Sequence, residues 1–109
     1  MSYYQHLFSP LKIGGIEVPN RIALMPMGVF SPRLLNYKTC AYTKDGADYY
    51  IERAKGGTGL IITGLNPIVS SIPFHININP EGYKREIKYL FDGVHAEGSK
   101  IFIQLTALT

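Results

Sequence analysis

The chain has 109 residues, which is enough for one small domain and too few for two. Hydrophobic residues make up 46% of it and charged residues 17%, a balance typical of a globular core rather than of a disordered segment. The net charge of +3 is small and the lysines and arginines are scattered, so no basic stripe indicates a nucleic-acid partner.

The compartment is predicted from what the sequence does not contain. No stretch approaches the roughly 18 consecutive apolar residues of a membrane span. The N-terminus lacks the basic start and apolar centre of a signal peptide. Cys40 is the single cysteine and cannot form an internal disulfide, which favours a reducing compartment. Together these features predict a cytoplasmic protein with no membrane partner, in which Cys40 is neither a nucleophile nor a metal ligand.

The first elements are short. Residues 7–18 predict an extended N-terminal segment with a turn at Gly14 and Gly15. Pro19 interrupts this segment, because its ring fixes φ and it has no backbone N–H. Residues 21–25 predict a strand, and its continuous apolar character favours burial on both faces, as in a parallel sheet. Residues 28–45 then predict a long loop of the kind that is often functional.

A helix and a strand follow. Residues 45–55 predict a helix that ends at Gly56 and Gly57, with one buried face at the spacing i, i+3, i+4, i+7: Ala47, Tyr50, Ile51 and Ala54. Residues 60–63 predict the second strand, which we expect Gly64 to end.

The same pattern then repeats. Residues 65–81 contain three prolines and predict a second long loop. Residues 83–97 predict the clearest helix, closed by Gly98, with a buried face of Ile87, Leu90, Phe91 and Val94. Residues 100–105 predict the third strand.

This order predicts an α/β fold with parallel strands joined by helical crossovers. The loop after each strand is long, and the turn before the next strand is short. A barrel whose chemistry lies at the C-terminal ends of its strands has this asymmetry, and a doubly wound sheet has it as well.

The residues at the three strand ends should meet at one end of such a sheet. Pro26 is rigid and has no N–H, while Gly28 and Gly64 allow a flat ring or another backbone to approach closely. Gln104 offers donors and an acceptor at the end of an apolar strand. A planar heterocycle with amide-like edges, such as an isoalloxazine, would use all of these groups. Ordinary turn chemistry, and a buried amide with protein partners, are the alternatives.

Other motifs predict structure rather than chemistry. The run "GGTG" at 56–59 follows a helix and precedes a strand, the reverse of a phosphate-binding loop, so we expect it to cap a helix. The three histidines are not at metal-ligand spacing, and the pair Tyr49 and Tyr50 is expected to pack in the interior.

Three segments, taken together, resemble a known family. They are "LFSPLKIGGIEVPNRIALMPMG", "DYYIERAKGGTGLIITG" and "VHAEGSKIFIQL", and they resemble the N-terminal part of the old yellow enzyme family. Its bacterial NADH:flavin oxidoreductases, dienoyl-CoA reductases and enoate reductases look most similar. The resemblance implies an FMN-dependent (β/α)8 barrel that passes hydride from NAD(P)H through the flavin to an activated C=C, such as an enone or enoyl-type acceptor.

The resemblance also implies roles for single residues. Pro26, Met27 and Gly28 match the segment whose backbone lies against the flavin, and Gly64 matches a small residue that accepts the ring. Gln104 matches a glutamine that hydrogen-bonds the pyrimidine edge of the flavin. Phe30 matches a loop position on the substrate side. No catalytic residue and no metal ligand is assigned.

The sequence departs from the family in two respects. The family continues Gln-Leu-x-His-x-Gly-Arg after the third strand, whereas this chain has Ala107 at the histidine position and no Gly-Arg. A barrel of this type needs roughly 250 residues, and this chain supplies three of eight strands. We therefore expect residues 1–109 to form a single incomplete FMN-binding domain, inactive alone and prone to self-association through open strand edges.

Two rival interpretations remain open at this stage. One is a flavin-free barrel lyase or isomerase that binds a phosphorylated substrate. The other is a non-catalytic remnant or interaction module.

Overall fold

The chain begins with a small hairpin that lies outside the main sheet. The computed structural model describes residues 3–28, 31–70 and 76–108. Strands β1 (Leu11–Ile13) and β2 (Ile16–Val18) pair antiparallel, and Gly14 adopts a positive φ of 59° in the turn between them. The predicted extended segment and its glycine turn are therefore confirmed for residues 11–18, whereas residues 7–9 form a turn.

The main sheet is built around one central strand. Strand β4 (Leu60–Ser70) runs parallel to β3 (Ala23–Leu24) on one side and to β6 (Lys100–Leu108) on the other. Leu24 pairs with Ile61, which pairs with Ile101. The predicted parallel order of the three strands is confirmed, so their C-terminal ends lie at the same end of the sheet.

The prediction that Gly64 ends the second strand is wrong. The loop predicted over residues 65–81 is wrong for 65–70, 76–77 and 80–81, and residues 71–75 lie outside the described residues. Strand β4 continues to Ser70, and β5 (Ile76–Asn77) pairs antiparallel with its last residues. The continuation is possible because β6 extends beside it and supplies ladder partners. The register shifts between Ile62 and Leu65, so Gly64 lies in a bulge of the strand rather than at its end.

Both helices lie where the sequence places them, with small differences at their starts. Helix α1 (Lys44–Lys55) is capped by Thr43, and helix α2 (Pro80–Ala96) by Asn79. Helix α2 begins three residues earlier than predicted because proline suits the first turn, where its missing N–H is not needed. No helix in the described ranges is long and apolar enough to cross a membrane.

The core lies between the two helices and one face of the sheet. The predicted buried face of α1 is confirmed, and so is that of α2, where Phe91 is only partly buried. Gly93 of α2 has no side chain, and this allows Ile51 of α1 to pack directly against it. The buried apolar residues are Leu35, Ala41, Tyr42, Ala47, Tyr50, Ile51, Ala54, Ile61, Ile87, Leu90 and Val94.

The opposite face of the sheet is bare. Ala23 of β3 is exposed on it, as is Phe102 of β6, which is 40% accessible. Met25, which directly follows β3, is 64% accessible. The prediction that the first strand is buried on both faces is therefore wrong for these residues. The reason is that both helices cover the same face, and among the described residues β3 pairs only with β4.

We propose that the chain of 109 residues self-associates through this face and its open edges when it is purified alone. Light scattering after size exclusion should give a mass that rises with concentration above the 12.2 kDa of one chain. Phe102→Ser, which removes an exposed apolar side chain from the bare face, should lower that mass. A monomer at all concentrations would contradict the proposal.

Candidate functional site

The ends of β3 and β4 are in direct contact. A Cβ atom placed on Gly64 would lie 2.8 Å from the Cα of Gly28 and closer still to the carbonyl of Met27. Real Cβ atoms do not approach other heavy atoms so closely, so only glycine fits. The sequence predicted that Gly64 admits a ring or another backbone, and in the structure the backbone of Met27 and Gly28 occupies that space.

Gln104 joins these residues from the other side of β4. It pairs opposite Leu65, one residue after Gly64, and its backbone N–H donates to Oγ1 of Thr63 at 3.1 Å. Its side chain is exposed and makes no hydrogen bond within the described part of the chain. All five predicted site residues are thus brought to one end of the sheet.

The segment from Pro26 to Gly28 is accessible to solvent. All three residues are exposed, and Met27 is 72% accessible. A small cavity lies beside the segment, lined by Leu24, Met25, Met27, Tyr49 and Tyr50. This accessible segment, together with the exposed amide of Gln104 on the other side of β4, offers donors and acceptors that a flat heterocycle can use.

Two tyrosine hydroxyls, on the helix side of the sheet, hydrogen-bond the backbone of Gly64. The N–H of Gly64 donates to the hydroxyl of Tyr50 at 3.1 Å, and the hydroxyl of Tyr42 donates to the carbonyl of Gly64 at 3.2 Å. Sequence reasoning predicted Tyr50 as a packing residue and assigned nothing to Tyr42. A signal was present, because a tyrosine on a buried helix face needs a partner for its hydroxyl.

Burial fixes the protonation state of Tyr42. Desolvation raises the pKa of Tyr42 far above its ordinary value; the neighbouring Tyr50 raises it further, and a hydrogen bond with Thr63 opposes the shift only in part. A tyrosine hydroxyl is protonated at neutral pH in any case, and the raised pKa keeps Tyr42 a donor to Gly64 in alkaline solution as well.

The long loop after β3 is tied to the sheet and to α2. The fully buried Asn66 of β4 donates to the carbonyl of Cys40 and accepts from the hydroxyl of Tyr83 at 2.9 Å. Burial raises the pKa of Tyr83 to about 12, which keeps that donor protonated. Glu86 of α2 accepts from Thr39 at 2.7 Å and from Asn36 at 3.1 Å. Residues 31–43 are therefore anchored by buried and partly buried polar contacts.

The "GGTG" segment caps a helix, as predicted. Gly57 follows α1 with a positive φ of 103°, and the side chain of Asn20 fills the space beside Gly59. Asn20 donates to the carbonyl of Gly57 at 2.7 Å and accepts from the N–H of Ile22 at 3.0 Å, which positions the start of β3. Among the described residues no three His, Cys, Asp or Glu side chains are grouped to hold a metal ion.

The resemblance to the family also drew attention to Ala107 and Phe30, and only Ala107 lies within the described residues. Ala107, at the family's histidine position, lies in β6 opposite Val69 and offers no polar group. Phe30, matched to the substrate side, lies outside the described residues.

These features define a class of protein: an α/β chain in which parallel strands joined by helices bring an exposed segment and a free amide to one end of the sheet. The model of the NADH:flavin oxidoreductase / NADH oxidase family matches residues 6–109. Cinnamate reductase of Clostridium sporogenes is 39% identical, over 95% of this chain and 16% of that protein. NADPH dehydrogenase of Listeria welshimeri is 32% identical, over 91% of this chain and 29% of that protein. The old yellow enzyme of Trypanosoma cruzi, 24% identical, has the same fold with a TM-score of 0.76 over 97% of this chain and 28% of that one.

The chain belongs to the NADH:flavin oxidoreductase / NADH oxidase family. It is a part of the (β/α)8 barrel of that family, and it spans about a sixth to a third of the length of the relatives it matches. FMN and NAD(P)H, expected from the resemblance, are the cofactors of this family.

Substituting Gly64 by alanine should destabilise the chain. The added Cβ meets the backbone of Met27 and Gly28, which cannot rotate away, so we expect a loss of about 1–3 kcal/mol of unfolding free energy. Urea denaturation of the two proteins measures it. Gly15→Ala is the matched control, since nothing lies within 4 Å of the added atom there. Equal stabilities for Gly64→Ala and Gly15→Ala would show that the close approach is not required.

Cys40 should be unreactive in the native protein. It is fully buried, and desolvation raises the pKa of its thiol, which disfavours the reactive thiolate. A thiol reagent such as DTNB should label it slowly in the folded protein and rapidly in urea. Fast labelling of the folded protein would contradict this burial.

Proposed function

We propose that this chain forms the part of the active site that contacts the cofactor in an FMN-dependent oxidoreductase. The enzyme transfers hydride from NAD(P)H to an activated C=C. The observation that carries the proposal is the meeting of Met27, Gly28, Gly64 and Gln104 at one end of a parallel sheet. The family match supports the cofactor, and the similarity to a cinnamate reductase supports an enone or enoyl-type acceptor. The single cysteine agrees with a cytoplasmic location.

The residues contribute binding and orientation. We assign Pro26, Met27 and Gly28 to backbone contact with the flavin, and Gly64 to the close packing that keeps this backbone in place. Gln104 is assigned to a hydrogen bond with the pyrimidine edge of the ring, because its exposed amide has both donors and an acceptor. The flavin, when bound, supplies the hydride chemistry. No catalytic residue is assigned to this chain.

Substituting Gln104 by leucine should weaken FMN binding. The loss of about one hydrogen bond predicts a dissociation constant about five- to tenfold higher, with a shifted flavin reduction potential. The measurement is FMN titration of the protein expressed from its complete gene, followed by visible absorbance and fluorescence. Gln5→Leu is the control, since Gln5 is an exposed glutamine in the N-terminal turn.

Two results would contradict this proposal. A wild-type protein that binds no FMN would remove the cofactor assignment. An affinity and a potential unchanged in Gln104→Leu would remove the role of Gln104 while leaving the family assignment intact.

A further inference from the structure

The bulge in β4 interrupts the backbone ladder at the point where the site is formed. Between Ile62 and Leu65 the register between β4 and β6 shifts, so backbone groups there need other partners. Side-chain hydroxyls supply three of them. Tyr50 accepts from the N–H of Gly64, Tyr42 donates to the carbonyl of Gly64, and Thr63 accepts from the N–H of Gln104.

These hydroxyls are held rigidly. Tyr42 and Tyr50 are each 2% exposed and Thr63 is fully buried. The rings of Tyr42 and Tyr50 pack edge to face with centroids 5.2 Å apart, within the core between the helices and the sheet. A side chain packed in this way cannot follow a moving backbone, so the hydroxyls determine the orientation of the peptide they bind.

The backbone groups that these hydroxyls bind belong to Gly64 and Gln104, two residues of the proposed cofactor site. Gly64 supports the backbone of Met27 and Gly28, and Gln104 carries the free amide. Thr63 and Gly64 are consecutive residues of β4, and the rings of Tyr42 and Tyr50 are in contact, so the three hydroxyls lie close together beneath the bulge. They bind backbone groups of both β4 and β6, which places them under both sides of the site.

We propose that Tyr42, Tyr50 and Thr63 are positioning residues of the flavin site, which set FMN affinity by fixing the Gly64 and Gln104 peptides. The inference rests on the proposed function and deepens it. These side chains lie on the helix side of the sheet, and their hydroxyls bind the backbone of Gly64 and Gln104. A purely structural role would lower stability without changing the FMN affinity of the folded protein.

The test compares Tyr50→Phe, Tyr42→Phe and Thr63→Val in the protein expressed from its complete gene. Hydrogen exchange resolved to single amides is measured without FMN, and FMN affinity is measured by titration under conditions where each variant is folded. Tyr50→Phe should speed exchange at Gly64, and Thr63→Val at Gln104, each by about tenfold for the loss of one hydrogen bond. FMN should bind about five- to tenfold more weakly to all three variants.

Two further variants keep the test selective. Tyr89→Phe removes a tyrosine hydroxyl that hydrogen-bonds Asp48 on the surface between the helices, and it should change neither exchange at Gly64 nor FMN affinity. Thr63→Ser retains a hydroxyl and should restore the slow exchange at Gln104 and the FMN affinity lost in Thr63→Val. If a phenylalanine variant fails to fold, this valine and serine pair still decides the question.

The outcomes separate the inference from the function on which it rests. Faster exchange at Gly64 or Gln104 with FMN affinity unchanged would overturn the positioning role and leave the flavin site standing. Unchanged exchange would show that the hydroxyls do not hold these peptides. A wild-type protein that binds no FMN would overturn the proposed function, and the positioning role with it.

Discussion

The close approach of two backbones at Gly64 is the constraint on which the rest of the site depends. Without a Cβ at this position, the segment of Met27 and Gly28 packs directly on β4. The same residue lies in a strand bulge, where its N–H and carbonyl are turned toward tyrosine hydroxyls. One glycine thus connects the end of β3, the middle of β4 and the core beneath the helices.

Periodicity was sufficient to predict the scaffold. Ala47, Tyr50, Ile51 and Ala54 repeat at helical spacing, and each is buried. Short apolar runs separated by helices also predicted parallel strands, and β3, β4 and β6 pair in that way. These predictions succeed because burial of one helix face is a local property of the sequence.

Long-range pairing could not be predicted in the same way. Gly64 and Pro67 resemble terminators, yet β4 passes through both because β6 supplies hydrogen-bond partners along its length. The exposure of Phe102 depends on which face of the sheet the helices cover, which no short window of sequence reveals. The hydrogen-bond partners of Tyr42 and Asn66 are likewise distant in sequence. Tyr42 binds Gly64, which lies 22 positions away, and Asn66 binds Cys40, which lies 26 positions away.

The central claim is that FMN lies against the joined strand ends. Single-amide hydrogen exchange of the protein expressed from its complete gene, with and without FMN, tests it most directly. The account predicts that FMN slows exchange at Met27, Gly28, Gly64 and Gln104 and leaves the hairpin of β1 and β2 unchanged. Protection confined to other residues, with these four amides unaffected, would contradict it.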